Sequence, residues 1–299
     1  MKSVTVNGKT YGLVANFKHN SELRRSFNRL TEDTYGFSFE AWYQDGYWGE
    51  RYIPYSLLDG DRVISNVSVS TIEFIIEGGN KLGVQIGTVM TDKEYRKQGL
   101  NRIIMNQVLD EWKDKADFMY LFANDTVLDF YPKFDFEQAD EYEHSRLISV
   151  DNLSSEAKKL NIEDEKDLAL LVETVNNSIP VAKVSMHDNT SLIMFYCTSF
   201  MKNNIYYLDE LEAIVIADFV GDTLHINDVF SIVDASIEDI VAALVRRDTK
   251  KVVMGFTPID DTNYESDLLK QEGTTLFVYK GQIDFFREND CMFPLLSHA

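Results

Sequence analysis

Apolar positions along this 299-residue chain change their period repeatedly, and each change marks an element. Val4–Phe17 reads as strand, turning at Asn7-Gly8. Ser21–Thr34 has helical spacing, with Ser21 as the predicted N-cap and Arg24 and Arg25 on its outer face. An aromatic-rich segment, Tyr35–Tyr55, follows. Alternating runs at Tyr52–Leu58, Arg62–Ile76 and Leu82–Thr91 are broken at Asp59-Gly60 and Gly78-Gly79-Asn80, which predicts an antiparallel meander. Leu100, Ile103, Ile104, Val108 and Trp112 give Leu100–Trp112 one apolar helical face. Phe118–Ala123 reads as a buried strand, Thr126–Phe134 as a short helix ending near Pro132, and Glu143–Val150 as a last strand.

Asp151–Asn161 is polar and reads as a linker. After it come helices at Glu163–Asn176 and Ser191–Lys202, then strands at Ile205–Leu208, Leu211–Phe219 and Leu224–Ile232. A helix from Ser236 to Arg247 and strands at Lys251–Thr257 and Thr275–Lys280 complete the chain. The second series repeats the first in kind though not in residues. The pattern predicts an α+β, mixed-sheet chain of two similar units: 1–150, a linker 151–161, and 162–299.

The stretch richest in chemistry is the join between Leu82–Thr91 and the helix at Leu100. The turn Arg96-Lys97-Gln98-Gly99 is basic and opens directly onto the helix. Backbone N–H groups and a helix N-terminus presented together form an anion site of the kind that holds a pyrophosphate. Cations at a helix start oppose its dipole, and a bound polyanion relieves that conflict.

Arg96-Lys97-Gln98-Gly99-Leu100-Asn101 resembles the Arg/Gln-x-x-Gly-x-Gly/Ala motif of the GCN5-related N-acetyltransferases (GNAT), with Asn in place of the last Gly or Ala. Asn124-Asp-Thr-Val-Leu-Asp-Phe-Tyr-Pro-Lys-Phe-Asp-Phe136 resembles the family's Tyr-x-x-Phe-Gly-Phe ending, with Asp135 where Gly is usual. The resemblance implies two tandem units of the acyl-CoA N-acyltransferase fold, the first similar to acetyltransferases of the enhanced-intracellular-survival type. It implies acetyl-CoA as cosubstrate, gripped by Arg96, Lys97, Gln98, Gly99, Leu100 and Asn101. Val89, Met90 and Thr91 would orient the thioester, with Asn124 beside it, and Tyr131 would be the general acid toward the departing thiolate.

The implied reaction is direct attack by a primary amine in a ternary complex. A base or a water chain must take the proton of an alkyl ammonium, whose pKa is near ~10.4. Glu40, Asp45, Glu50, Glu73 and Glu77 border the acceptor cleft in the resembled fold. Related enzymes use their terminal carboxylate, and His298 reaches the same place by the same route. Tyr35, Phe37, Phe39, Trp42, Tyr43, Tyr47, Trp48, Tyr52 and Tyr55 interleave with carboxylates. Aromatic faces with carboxylates suit a cation, so Trp42, Tyr43 and Glu40 are the expected acceptor contacts.

The net charge of −20 disfavours nucleic acid, whose phosphates need cations. Residues 1–150 hold 17 basic against 23 acidic side chains, and residues 151–299 hold 12 against 26. In the second unit Asp234, Glu238 and Asp239 stand where the first has Arg96 and Lys97, which would repel a pyrophosphate. That unit is expected to be a degenerate copy that shapes the acceptor cleft or a contact between copies of the chain. Two distant cysteines and scattered histidines imply neither disulfide nor metal site. No apolar run reaches the ~20 residues that span a bilayer, so a cytoplasmic protein without membrane contact is expected. The expected acceptor is an aminoglycoside, a polyamine, or a lysine or N-terminal amine. Two other readings fit the same residues: an acyl-CoA-binding regulator without catalysis, and an acidic module that binds a basic partner.

Overall fold

In a computed structural model of the chain, residues 2–149, 157–271, 273–282 and 285–298 are described. The strands, in chain order, are β1 Lys2–Val6, β2 Lys9–Ala15, β3 Tyr52–Asp59, β4 Arg62–Ile76, β5 Gly79–Thr91, β6 Phe118–Ala123, β7 Phe136–Gln138 and β8 Tyr142–Leu147. They continue with β9 Lys158–Lys159, β10 Val184–His187, β11 Ile205–Leu208, β12 Ala213–Val220, β13 Thr223–Ser231, β14 Lys251–Met254, β15 Glu265–Leu268 and β16 Thr275–Tyr279. The α-helices are α1 Ser21–Tyr35, α2 Glu40–Gln44, α3 Leu100–Trp112, α4 Glu165–Asn177, α5 Thr190–Thr198, α6 Ile237–Leu244 and α7 Phe285–Glu288.

Two mixed sheets result. The first has the order β1-β2-β3-β4-β5-β6-β16-β7, with β10 also paired to β4, and the second has the order β15-β8-β14-β13-β12-β11-β9. Each contains one parallel pair, β5 with β6 and β13 with β14, at corresponding places. One apolar cluster lies between the first sheet and α1, α2 and α5, and another between that sheet and α3.

Two strands lie on the other side of the molecule from where chain order puts them. β8, expected to close the first unit, pairs with β14 and β15 in the second sheet. β16, expected to close the second, runs antiparallel between β6 and β7 in the first. The two units therefore exchange their last strands. Alternation gives β8 and β16 a buried face but does not specify the partner, because any edge of matching pleat satisfies a strand's hydrogen bonds. The segment Lys158–Lys159, expected within a linker, already pairs with β11, while residues 151–156 lie outside the described residues.

Local differences have local causes. Helix α1 is capped by Asn20, whose side chain accepts from the Glu22 and Leu23 N–H groups, so Ser21 is its first helical residue. Arg24 is buried rather than outward, donating to the Lys18 carbonyl at 2.6 Å and to Glu40. The helix expected at Thr126–Phe134 is instead two 3-10 turns, Asp125–Val127 and Tyr131–Phe134, the second with Pro near its start.

Candidate active site

The first sheet opens along a seam between β5 and β6. Their ladder covers only Gly83–Gln85 opposite Phe118–Tyr120, whereas β5 runs on to Thr91 paired with β4 alone. The strands meet closely at Gly83, where a Cβ would lie 2.6 Å from the Phe74 ring and 2.7 Å from that of Phe118. Further along, β5 carries a bulge opposite Asn66–Ser68. Thr88 there has φ 47°, a left-handed conformation that is strained for a β-branched residue. It is held by a hydrogen bond between the Tyr52 hydroxyl and Thr88 Oγ1 at 2.8 Å and by Asn66 Nδ2, which donates to its carbonyl at 3.0 Å. The Tyr35 hydroxyl donates to the Val89 carbonyl at 2.9 Å.

The basic turn lies at the end of this strand. Lys97 and Gly99 have φ 63° and 78°, which bends the chain sharply into α3. Helix α3 has no side-chain cap and no acidic residue in its first turn, so its leading N–H groups lack side-chain acceptors. Arg96 and Lys97 are exposed beside it, and the Arg96 Nε–H donates to the Thr91 carbonyl at 3.2 Å. Uncapped donors, a helix dipole and two exposed cations together suit a polyanion. Gln98 accepts from Tyr11 at 3.4 Å, and Leu100 is buried under the turn. Asn101 is not directed at the anion site. Its Oδ1 accepts from Thr91 Oγ1 at 2.9 Å and from Ser65 Oγ, fastening α3 to β4 and β5. The residue that departs from the motif thus serves the scaffold. Met90 is buried in the core and leaves only its backbone at the seam, where Val89 and Thr91 are half-buried.

Tyr131 is buried, its ring 5.3 Å from Phe130 and 5.8 Å from Phe277 of β16. An exchanged strand therefore backs the candidate acid. Burial pushes the Tyr131 phenol above its ordinary range, with a smaller contribution from nearby Tyr35. Its proton is then held more tightly than a thiol's, whose ordinary value is near ~8.5. Hydrogen-bond donation to a developing thiolate costs less than outright transfer. Asn124 caps the turn Asp125–Val127 by accepting from Thr126 N and Oγ1 at 3.0 and 2.9 Å, so its oxygen is committed locally. Asp135, where the motif has Gly, has φ 62°, the conformation that makes Gly usual there.

The expected acceptor contacts are mostly structural. Trp42 is buried, stacked on Trp48 at 5.7 Å, with its Nε1–H donating to the Ser191 carbonyl at 2.8 Å. A side chain so enclosed cannot touch an acceptor. Glu40 accepts from Arg24 at 2.9 and 3.1 Å, Asn28 at 2.9 Å and Gln44 at 2.7 Å. Those donors, Arg24 first, hold its carboxyl below the usual range and unfit it as a base. Tyr43 lies under the Arg24 guanidinium, 3.7 Å from its ring. Lys18 depresses Glu50 at 2.7 Å, and Arg51 pairs with Glu73 at 3.0 Å. Asp45 and Glu77 are exposed. His298 stacks on Phe122 at 3.8 Å, and burial pushes it down to about 4, a poor proton acceptor. The terminal carboxylate of Ala299 lies outside the described residues.

The corresponding seam of the second sheet is filled by the chain itself. Past Ile226–Met254, the Ile179 N–H donates to Ser231 O at 2.9 Å, Lys183 N–H to Thr257 O at 2.8 Å and Leu295 N–H to Gly255 O at 2.8 Å. Glu238 in the first turn of α6 is paired with Arg146 at 2.6 Å. Among the described residues no group of three metal-ligating side chains occurs, and no helix is long and apolar enough to cross a membrane.

Residues 19–139 match the acetyltransferase (GNAT) domain family, a span that stops before the exchanged strand. No curated protein matches the sequence. Among solved structures, the chain is similar to a probable N-acyltransferase of unknown function from Enterococcus faecalis, at 17% identity and TM-score 0.59, covering 90% of this chain and 72% of that one. Eis1 from Mycobacterium abscessus is similar at 13% identity and TM-score 0.55, covering 89% and 73%. A GCN5-related N-acetyltransferase from Anabaena variabilis is similar at 14% and 0.56, covering 89% and 72%. These likenesses extend the acyl-CoA N-acyltransferase fold over both units. Residues 19–139 therefore match an acetyltransferase (GNAT) domain, and beyond that span the likeness to solved structures is one of fold.

Proposed function

We propose that the chain is an acetyl-CoA-dependent N-acetyltransferase that acetylates a primary amine, with one cofactor site per chain. The observation that carries this reading is the seam between β5 and β6, open past Gln85 and ending at the uncapped, cation-flanked start of α3. The division into a cofactor-binding unit 1–150, a linker 151–161 and a degenerate unit 162–299 belongs to the same reading, amended in that β8 and β16 are exchanged between the sheets and Lys158–Lys159 already pairs with β11. It is supported by the second seam being occupied by Ile179–Lys183 and Leu295.

The residues divide the work. The first turn of α3, with Arg96 and Lys97, holds the pyrophosphate. The edge of β5 at Val89–Thr91 that β6 does not cover holds the pantetheine arm and orients the thioester, whose activated carbonyl the cosubstrate supplies. The neutral amine attacks that carbonyl. Tyr131 donates a hydrogen bond to the sulfur as the C–S bond breaks, which stabilises the leaving thiolate. Glu40 and Glu50 are held by Arg24 and Lys18, which favours water as carrier of the ammonium proton.

The test is the melting temperature with and without acetyl-CoA, in the parent and in an Arg96→Glu/Gly99→Glu variant. Ligand at ~100 times its Kd adds about 2.7 kcal/mol. A rise in the parent that is lost in the variant is expected. No rise in the parent removes the acetyltransferase reading and leaves an acidic binding module.

A further inference from the structure

We propose that Tyr35, Phe37 and Phe200 form the acceptor wall of the site, and that this wall selects an amine carried on an aromatic or other flat apolar body over an aliphatic polyamine. The inference rests on the N-acetyltransferase reading and names its substrate class.

Most of the aromatic segment is used up in the core: Phe39, Trp42, Trp48 and Tyr52 are all buried. Tyr35 and Phe200 are not, at 47% and 57% exposed. They come from different halves of the chain and meet through half-buried Phe37, which lies 6.1 Å from Tyr35 and 5.7 Å from Phe200. Large apolar rings gathered in the open at one place mark a binding surface rather than scattered surface residues. The wall is tied to the reaction strand, since its Tyr35 end donates to the Val89 carbonyl. It is also preformed. Phe37 packs 5.9 Å from Phe195, while Phe200 lies 5.6 Å from Phe195 and follows directly on α5, its N–H donating to Tyr196 O at 3.1 Å. The wall is made of ring faces and edges, and Glu40, which follows Phe37 on the next short helix, is consumed by Arg24, Asn28 and Gln44. A polyamine needs anionic anchors for its other charges. A flat apolar body needs only the area the rings offer.

The experiment measures free CoA release with 2-phenylethylamine and with spermidine, in the parent, Phe200→Ala and Phe200→Tyr, after the acetyl-CoA melting shift has been recorded for each. The parent is expected to favour phenylethylamine in kcat/KM. Phe200→Ala should cut the phenylethylamine-to-spermidine ratio about 10-fold, mainly through KM, and Phe200→Tyr should restore it. A parent preference for spermidine, an unchanged ratio in Phe200→Ala, or turnover of neither amine by a protein that binds acetyl-CoA overturns the wall. A missing acetyl-CoA shift strikes the underlying reading instead.

Discussion

Replacing Glu141 by Gln should make the protein more stable in alkali and leave it nearly unchanged in acid. Glu141 is 6% exposed, and its Oε1 accepts from the Phe293 N–H at 2.9 Å, joining the C-terminal segment to the crossing between the two sheets. The Tyr120 phenol, which burial keeps neutral, lies near it, and the His298 Nε2 lies 4.0 Å away. Burial disfavours charge on Glu141 and His298, so both are neutral near pH 7. Burial raises the Glu141 carboxyl from an ordinary 4.5 to about 8. The folded protein therefore keeps a proton that the unfolded chain has lost. The associated stability is fully present below about pH 4.5 and is lost progressively as pH rises to about 8. At 1.36 kcal/mol per unit the full shift corresponds to about 5 kcal/mol, an upper bound, and about 4 kcal/mol of it falls between pH 5 and pH 8. Gln keeps the acceptor for Phe293 and cannot ionise. The assay is thermal unfolding of parent and variant at pH 5, 6, 7 and 8 at constant ionic strength. Asp228, which burial raises to about 7, loses stability in the same direction in both proteins and cancels in the difference. The variant's melting temperature should pull ahead of the parent's by several degrees or more between pH 5 and pH 8. A gap of the same size at every pH would refute the reasoning.

Three further outcomes are expected. Phe277→Ala should lower stability by about 3–5 kcal/mol and reduce kcat, because the ring is buried in β16 and backs Tyr131; a change in neither would mean that the exchanged strand does not support the site. Asn101→Gly, which supplies the residue usual in the motif, should cost about 1–3 kcal/mol through the loss of the two hydrogen bonds from Ser65 and Thr91 without tightening acetyl-CoA, and tighter binding in isothermal titration would show that Asn101 does face the cofactor. A chain ending at residue 149 should not give a dispersed amide spectrum, since β6 and β7 lose β16 from between them, whereas a folded spectrum would show that β8 can take that place.

Much of the site was legible before any tertiary structure because its signals are local. The strand to Thr91, the basic turn and the helix from Leu100 follow from periodicity and from a single Gly, and Gly99 does have the left-handed conformation that requires it. Tyr131 was singled out as the candidate acid by its motif, and the charged start of α6 by its carboxylates. The acceptor contacts were misjudged because composition cannot say which face of a short helix is enclosed. Trp42 looks like a lip residue until Ser191 of α5 closes over it, and Glu40 looks like a free base until Arg24 is seen to turn inward.

The sequence by itself determined most of the elements and their order, the doubled pattern and the basic turn before α3, though not β10, β15 or the 3-10 turns near Tyr131, because spacing along the chain dictates which side of a helix or strand is apolar. Only the tertiary structure decided what each apolar side meets. The exchange of β8 for β16, the closing of the second seam by Ile179–Lys183, and the meeting of Phe200 with Phe37 are all contacts between residues roughly 50 or more apart in the chain, the first and last more than 100 apart. Period-2 alternation serves any matching sheet edge equally well. The choice among edges is made by long-range packing, in which burial of the whole surface, not of any one segment, sets the free energy.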